Sequence, residues 1–167
     1  MERILANKTI KNVAFILLVI LSGCAFKSGP EIKEYIGKYK VCSPEEYIQK
    51  NFPNQNPYSA LDSFSIKYYQ LNENKIKGST LEIFADTTFV VSGEILNDTS
   101  GVWKMHHSDE MGSSLKLRFN RVNAVANFHY EREGYRICIF PLSTLKERIP
   151  ITEVGPRRLK LVYKKEQ

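Results

Sequence analysis

The side chains able to do chemistry in this 167-residue chain are few: three cysteines, three histidines and scattered acids. The richest polar run is His106-His107-Ser108-Asp109-Glu110-Met111, where two imidazoles stand beside two carboxylates, ligand types that suit a divalent metal ion. Neighbouring side chains on a strand point to opposite faces. Both histidines could therefore serve one ion only from a loop, and the plainer reading is a solvated loop between strands. His129 reads as a surface strand residue. The chain has no Gly-x-Ser-x-Gly, no Cys-x-x-Cys, no His-Glu-x-x-His and no phosphate-cradling glycine loop. The sequence thus points away from an enzyme, and it assigns no metal and no cofactor.

Cys24 differs from the other two thiols in what precedes it. Residues Met1–Asn12 carry Arg3, Lys8 and Lys11 against Glu2, and an apolar run of nine residues, Val13–Leu21, follows. That run has the ~7–15 residues of a secretory leader and falls short of the ~20 needed to span a bilayer. The small residues Ser22 and Gly23 then precede the cysteine. Leu21-Ser22-Gly23-Cys24 resembles the lipobox of bacterial lipoproteins. The resemblance implies cleavage between Gly23 and Cys24 and acylation of the Cys24 thiol. Each buried methylene contributes about 0.8 kcal/mol, so two or three acyl chains would hold the chain on a membrane almost permanently. Ala25, rather than Asp, follows the cysteine, which in the lipoprotein family points to the outer membrane if the host is Gram-negative. The expected localisation is the cell envelope, and the expected partner is membrane lipid through acylated Cys24.

Removing 23 residues from 167 leaves 144, one domain with enough length for a core of its own. The leader holds a surplus of two positive charges, so four of the chain's six remain. A surplus that small does not mark a nucleic-acid binder. Cys42 and Cys138 form an even pair in an exported chain, where a bridge is chemically available. Cys42 shares strand parity with Lys38 and Lys40, and Cys138 with Arg136, which places both on polar faces. A disulfide and two separate free thiols both remain open.

Stepping along the chain, residues 24–34 show no apolar period and read as a tether. A first strand covers 35–42. Ser43-Pro44-Glu45-Glu46 is a helix start, with a capping serine, proline in the first turn and glutamate at the third position. Phe52–Pro57 reads as a loop. From there the period is mostly two, and 63–71 alternates loosely. Leu81 and Ile83, Phe89 and Val91, and Leu115, Leu117 and Phe119 mark strands with one apolar face each. Val122–Tyr130, Tyr135–Phe140 and Leu159–Tyr163 continue the pattern. Arg157, Arg158, Lys160, Lys164 and Lys165 read as the solvated face of the last strand, with acidic lipid headgroups as the other reading.

Gly37-Lys38-Tyr39, then Leu81–Phe89 with Asp86-Thr87-Thr88 at its turn, then Gly101-Val102-Trp103 and Leu115-Lys116-Leu117 occur in order. This series resembles the small lipocalin-like domains of bacterial lipoproteins. The resemblance implies a mainly β fold: an antiparallel, up-and-down barrel of about eight strands, with one short helix after the first strand. It would span residues 35–163, leaving 164–167 as a tail. Thr87 stands where that family has glycine, and the insertion 43–62 is long, either a lid over the barrel mouth or an irregular crossing. Tyr39, Phe89 and Trp103 are the candidates for an aromatic wall around a small apolar ligand; in a solid barrel the same residues fill the core. Two functions are compatible with this pattern. One is a membrane-anchored, non-enzymatic binding module for a small apolar ligand or an envelope component. The other is a protein-interaction or immunity-like inhibitor lipoprotein with a solid core.

Overall fold

The structure is a computed structural model that describes residues 30–52, 61–108, 112–132, 134–146 and 158–166. The leader, Cys24, Asp109-Glu110-Met111 and Arg157 lie outside the described residues.

Eight antiparallel strands close into a barrel in sequence order. They are β1 (Gly37–Cys42), β2 (Thr80–Ile83), β3 (Thr88–Ser92), β4 (Ser100–Ser108), β5 (Gly112–Phe119), β6 (Val125–Arg132), β7 (Tyr135–Pro141) and β8 (Arg158–Lys165). β8 pairs with both β7 and β1, which removes every free edge. The chain is the mainly β, up-and-down, lipocalin-like barrel that its pattern implied.

Alternation positions the core. Tyr39, Leu81, Phe89, Trp103, Leu117, Phe128, Phe140, Leu161 and Tyr163 are buried inside the barrel. Rings meet across it: Tyr39 and Tyr163 stand 5.1 and 6.2 Å from Phe128, and Phe89 stands 5.3 Å from Phe119. Gly101 permits the close approach of β3 and β5 beside β4, since a Cβ there would strike the Arg118 carbonyl and the Phe89 ring.

The helices depart from expectation. Among the described residues four are present, not one: α1 (Ile32–Tyr35), α2 (Pro44–Asn51), α3 (Ser63–Leu71) and α4 (Glu73–Ile76). α2 starts as its sequence says, with the Glu46 N–H donating to Ser43 Oγ at 3.1 Å. Residues 63–71, read as a loose strand, are helical because Asp62 caps them, its carboxylate accepting from the Ser65 N–H at 2.8 Å.

The described part of the 43–62 insertion packs on the outside of the barrel, and the chain that follows it reaches the core. Tyr68, Tyr69 and Ile76 join the main core. Tyr47, Leu61, Ile48, Phe52 and Ile66 pack instead on the outer face of β1, β7 and β8, against Cys42, Tyr135, Ile137 and Val162. Ser65 Oγ accepts from the Lys160 N–H at 2.9 Å, so α3 satisfies a β8 donor beyond the last β1 pair.

Candidate functional site

The starts and ends of the strands fix what can meet at each end of the barrel. The start of β1, the end of β8 and the β2–β3, β4–β5 and β6–β7 turns share one end, here called the hairpin end. Trp103, Met105 and His107 follow one another on the inward side of β4, and Ser113 faces inward on β5. Ser113 is buried but His107 is exposed, so at this end the inward face turns polar as it opens to solvent.

α1 crosses the hairpin end. The Tyr35 hydroxyl donates to the Ser113 carbonyl at 2.6 Å. The Glu34 carbonyl is a meeting point: Arg136 Nη2 donates to it at 2.8 Å, the Tyr39 hydroxyl at 3.0 Å and Lys165 Nζ at 3.4 Å. The Arg136 guanidinium also lies 4.1 Å from the Tyr130 ring and 5.4 Å from the Tyr35 ring. Burial pushes the Tyr35 and Tyr39 phenols up to about 12, so both remain donors throughout the physiological range. Residues 30–34, expected to be part of a tether, are thus tied into the domain.

Between this segment and β4–β5 lies an open cleft of about 420 Å³, lined by Pro30, Glu31, Ile32 and Lys33 on one side and by Met105, His107 and Ser113 on the other. Its volume falls within the ~300–1,000 Å³ usual for small-ligand sites. Pro30, Ile32 and Met105 supply apolar wall. His107 Nδ1 and Ser113 Oγ are 2.8 Å apart, and Glu31 pairs with Lys33 at 2.8 Å. These groups offer donors and acceptors of both signs beside an apolar surface.

The three aromatic candidates do not wall one pocket. Tyr39 closes the hairpin end. Trp103 donates its indole N–H to the Phe84 carbonyl at 2.9 Å, and its backbone N–H to the Thr87 carbonyl at 2.8 Å, which holds the β2–β3 turn in place. Phe89 is fully buried against Phe119. All three fill the core.

Cys42 and Cys138 are free and buried, so of the two readings left open the structure has the separate thiols. Cys138 does share a face with Arg136, but that face is the interior, whereas Cys42 lies outside beneath α2. Sharing a face with Arg136 does not put Cys138 on a polar surface, because Arg136 is a buried cation. Cys42 pairs with Val162 and Cys138 with the preceding residue, Leu161, so the thiols point to opposite sides of the sheet.

His106 and His107 are strand residues on opposite faces, not a loop. Among the described residues no group of three or more His, Cys, Asp or Glu side chains is gathered as a metal site would need. His129, on the outer side of β6, has its pKa lowered by burial, partly opposed by Glu131. The basic cluster on β8 is largely engaged rather than merely solvated: Lys164 pairs with Glu46 at 3.1 Å and Lys160 with Asp62 at 3.4 Å. Met105 and Ser113 are not singled out by the sequence, and His107 reads there only as a loop residue, although two-residue spacing from Trp103 and Leu115 marks all three.

No family model, no curated protein and no solved structure matches this chain.

Proposed function

We propose that the chain is a non-enzymatic lipoprotein of the cell envelope, anchored through acylated Cys24, that binds at the mouth and surface of a solid barrel. The leader and Leu21-Ser22-Gly23-Cys24 support the anchoring. The observation that carries the binding mode is the packing of Tyr39, Phe89 and Trp103 into the core. Side chains that would line a carrier's lumen are instead in contact with other rings or with backbone.

The cleft between Pro30–Lys33 and Met105, His107 and Ser113 is the place for a ligand. Its mixed lining suits a small envelope component, or a segment of an envelope protein, that offers both an apolar group and hydrogen-bonding groups. An interaction or inhibitor lipoprotein would use the same mouth and the outer strands. A host with an outer membrane would carry the chain there, given Ala25.

The test begins with processed protein purified from host membranes. Its mass should show a diacylglyceryl group on an N-terminal Cys24, and Cys24→Ser should yield an unprocessed chain that incorporates no labelled lipid. Native mass spectrometry then looks for a retained molecule. Met105→Trp, which fills the cleft, should abolish retention. A leader-bearing chain in the cytosol of the native host would refute the anchoring. A ligand retained equally by the Trp variant would refute the cleft.

A further inference from the structure

The outer faces of the barrel are unequal. The side formed by β7, β8 and β1 is covered by α2 and α3, and its lysines find acids. Among the described residues no helix packs on the opposite side, which carries Lys104, Lys116 and Arg118, all exposed. Among the described residues none of these three has an acid within ion-pair distance. Lys104 and Lys116 stand directly opposite each other in the β4–β5 ladder. Like charges opposed in this way disfavour the pairing, so folding gains nothing from them.

The same face exposes aliphatic surface. Val102, Arg118 and Val125 lie in one cross-strand row, and Val90 lies beside it on β3. Val90 and Val102 are each 43% exposed and Val125 is 40% exposed. Glu82, opposite Val90, is the acid at the edge of this patch.

The chain enters the domain at the hairpin end, on the inner side of the same pair of strands, β4 and β5. Pro30, six residues after Cys24, faces the inner side of β4–β5 across the mouth cleft. Six residues reach at most about 20 Å.

We infer that the outer face of β4–β5, with Lys104, Lys116 and Arg118 among exposed valines, is a docking surface for an anionic lipid bilayer. This rests on the proposed anchoring at Cys24, which would hold the hairpin within one short tether of the headgroups. The bases engage lipid phosphates, and Val90, Val102 and Val125 rest on the interfacial layer. Docking lays the barrel on its side and brings the mouth cleft level with the headgroups, where an envelope lipid or its fragments would be met.

The test uses the full processed chain reconstituted in phosphatidylcholine vesicles with or without phosphatidylglycerol. A nitroxide label is placed on Val102→Cys or, as a control on α3, on Leu71→Cys; Cys42 and Cys138 are buried and are not labelled. With phosphatidylglycerol the Val102 label should be shielded from a water-soluble nickel relaxant and open to oxygen, and the Leu71 label should stay open to nickel. Raising salt should reverse the shielding without any further substitution. Combining Lys104→Gln, Lys116→Gln and Arg118→Gln should lower the docked-to-free ratio roughly a hundredfold, at about fivefold for each base lost near an anionic surface. Equal nickel exposure in both lipids would overturn the proposal. Shielding that ignores salt, or that rises with the protein-to-lipid ratio and so marks a second copy, would overturn it as well. Absence of the acyl group, seen by mass in the same preparation, would sink the anchoring alone. Docking is then read from cosedimentation, which should require phosphatidylglycerol and fail at high salt; sedimentation indifferent to either would overturn it.

Discussion

Arg136 on β7 donates from Nη2 to the backbone carbonyl of Glu34, 102 residues earlier, at 2.8 Å. Its Nη1 donates to the Tyr135 carbonyl at the same distance, and its flat face lies against Tyr130. A single guanidinium thus ties the segment before β1 to β7, two strands away around the barrel. Arg136→Met keeps much of the volume but removes both charge-assisted bonds. It should cost about 2–4 kcal/mol, since a charged hydrogen bond contributes ~1.5–3 kcal/mol. Urea unfolding measures the loss. Faster amide exchange across α1 would place it at the hairpin end. Unchanged exchange there would show that the tie to Glu34 carries no stability.

Thr87 sits at φ +70°, the only non-glycine residue with positive φ among the described residues. A β-branched residue in the left-handed region is strained by ~1–2 kcal/mol. The turn is held there by Asp86, whose carboxylate accepts from the Thr88 N–H at 3.0 Å and from the Thr88 hydroxyl at 2.6 Å, and by Trp103 on the Thr87 carbonyl. Thr87→Gly relieves the strain but gains chain entropy in the unfolded state, worth ~0.4–1 kcal/mol. The net expectation is a gain of up to about 1.5 kcal/mol, read as a higher Tm. A lower Tm would mean that the threonine side chain earns its place in a way the backbone does not show.

That turn illustrates what was legible in the sequence. The barrel strands announce themselves because a one-residue slip would turn every apolar side chain outward, so Leu81/Ile83, Phe89/Val91 and Leu115/Leu117 leave little freedom. Residues 63–71 are ambiguous on the same test. Phe64, Ile66 and Tyr68 fit a period of two, while Phe64/Tyr68 and Ser65/Tyr69 fit a helical spacing of four. The Asp62 cap settles the matter, and it is local chemistry rather than period. The cleft was harder to see. His107 and Ser113 are polar residues on the inner side of the barrel, and pattern reading sends polar residues outward. Arg136 misled for the same reason and took Cys138 with it.

Cys42 and Cys138 should both titrate as free thiols on unfolding and resist alkylation in the native protein. Burial pushes the Cys42 thiol up to about 12, with Glu46 adding to the shift, and burial raises Cys138 well above its ordinary range. Neither is a thiolate at neutral pH, and the thiolate is the reactive form. Maleimide labelling with and without denaturant checks this: two sites should appear only after unfolding, apart from Cys24. A non-reducing mass two hydrogens short would restore the bridge and require a different register for β7, β8 or β1.

Asp98 supplies a pH dependence whose sign can be worked out. Its buried carboxylate accepts from the backbone N–H groups of Arg121 and Ser100, with Val122 N–H at 3.4 Å, and so fastens the loop before β4 to the β5–β6 loop. Burial alone would raise its pKa, but those backbone donors outweigh it and hold the carboxyl below its usual 3.8. A carboxyl depressed in the folded state binds its proton more readily when unfolded. Its contribution is therefore complete above the unfolded pKa and fades as pH falls through the folded one. Asp98→Asn keeps the shape but exchanges one carboxylate oxygen for an NH₂ that cannot accept. It should cost about 1–3 kcal/mol at neutral pH, and the gap from the parent chain should narrow below about pH 4. Thermal melts of both proteins between pH 3 and pH 7, on the scale of carboxylate titration, measure the difference. A gap that stays constant across that range would mean that the loops are held by shape at Asp98 and not by its charge.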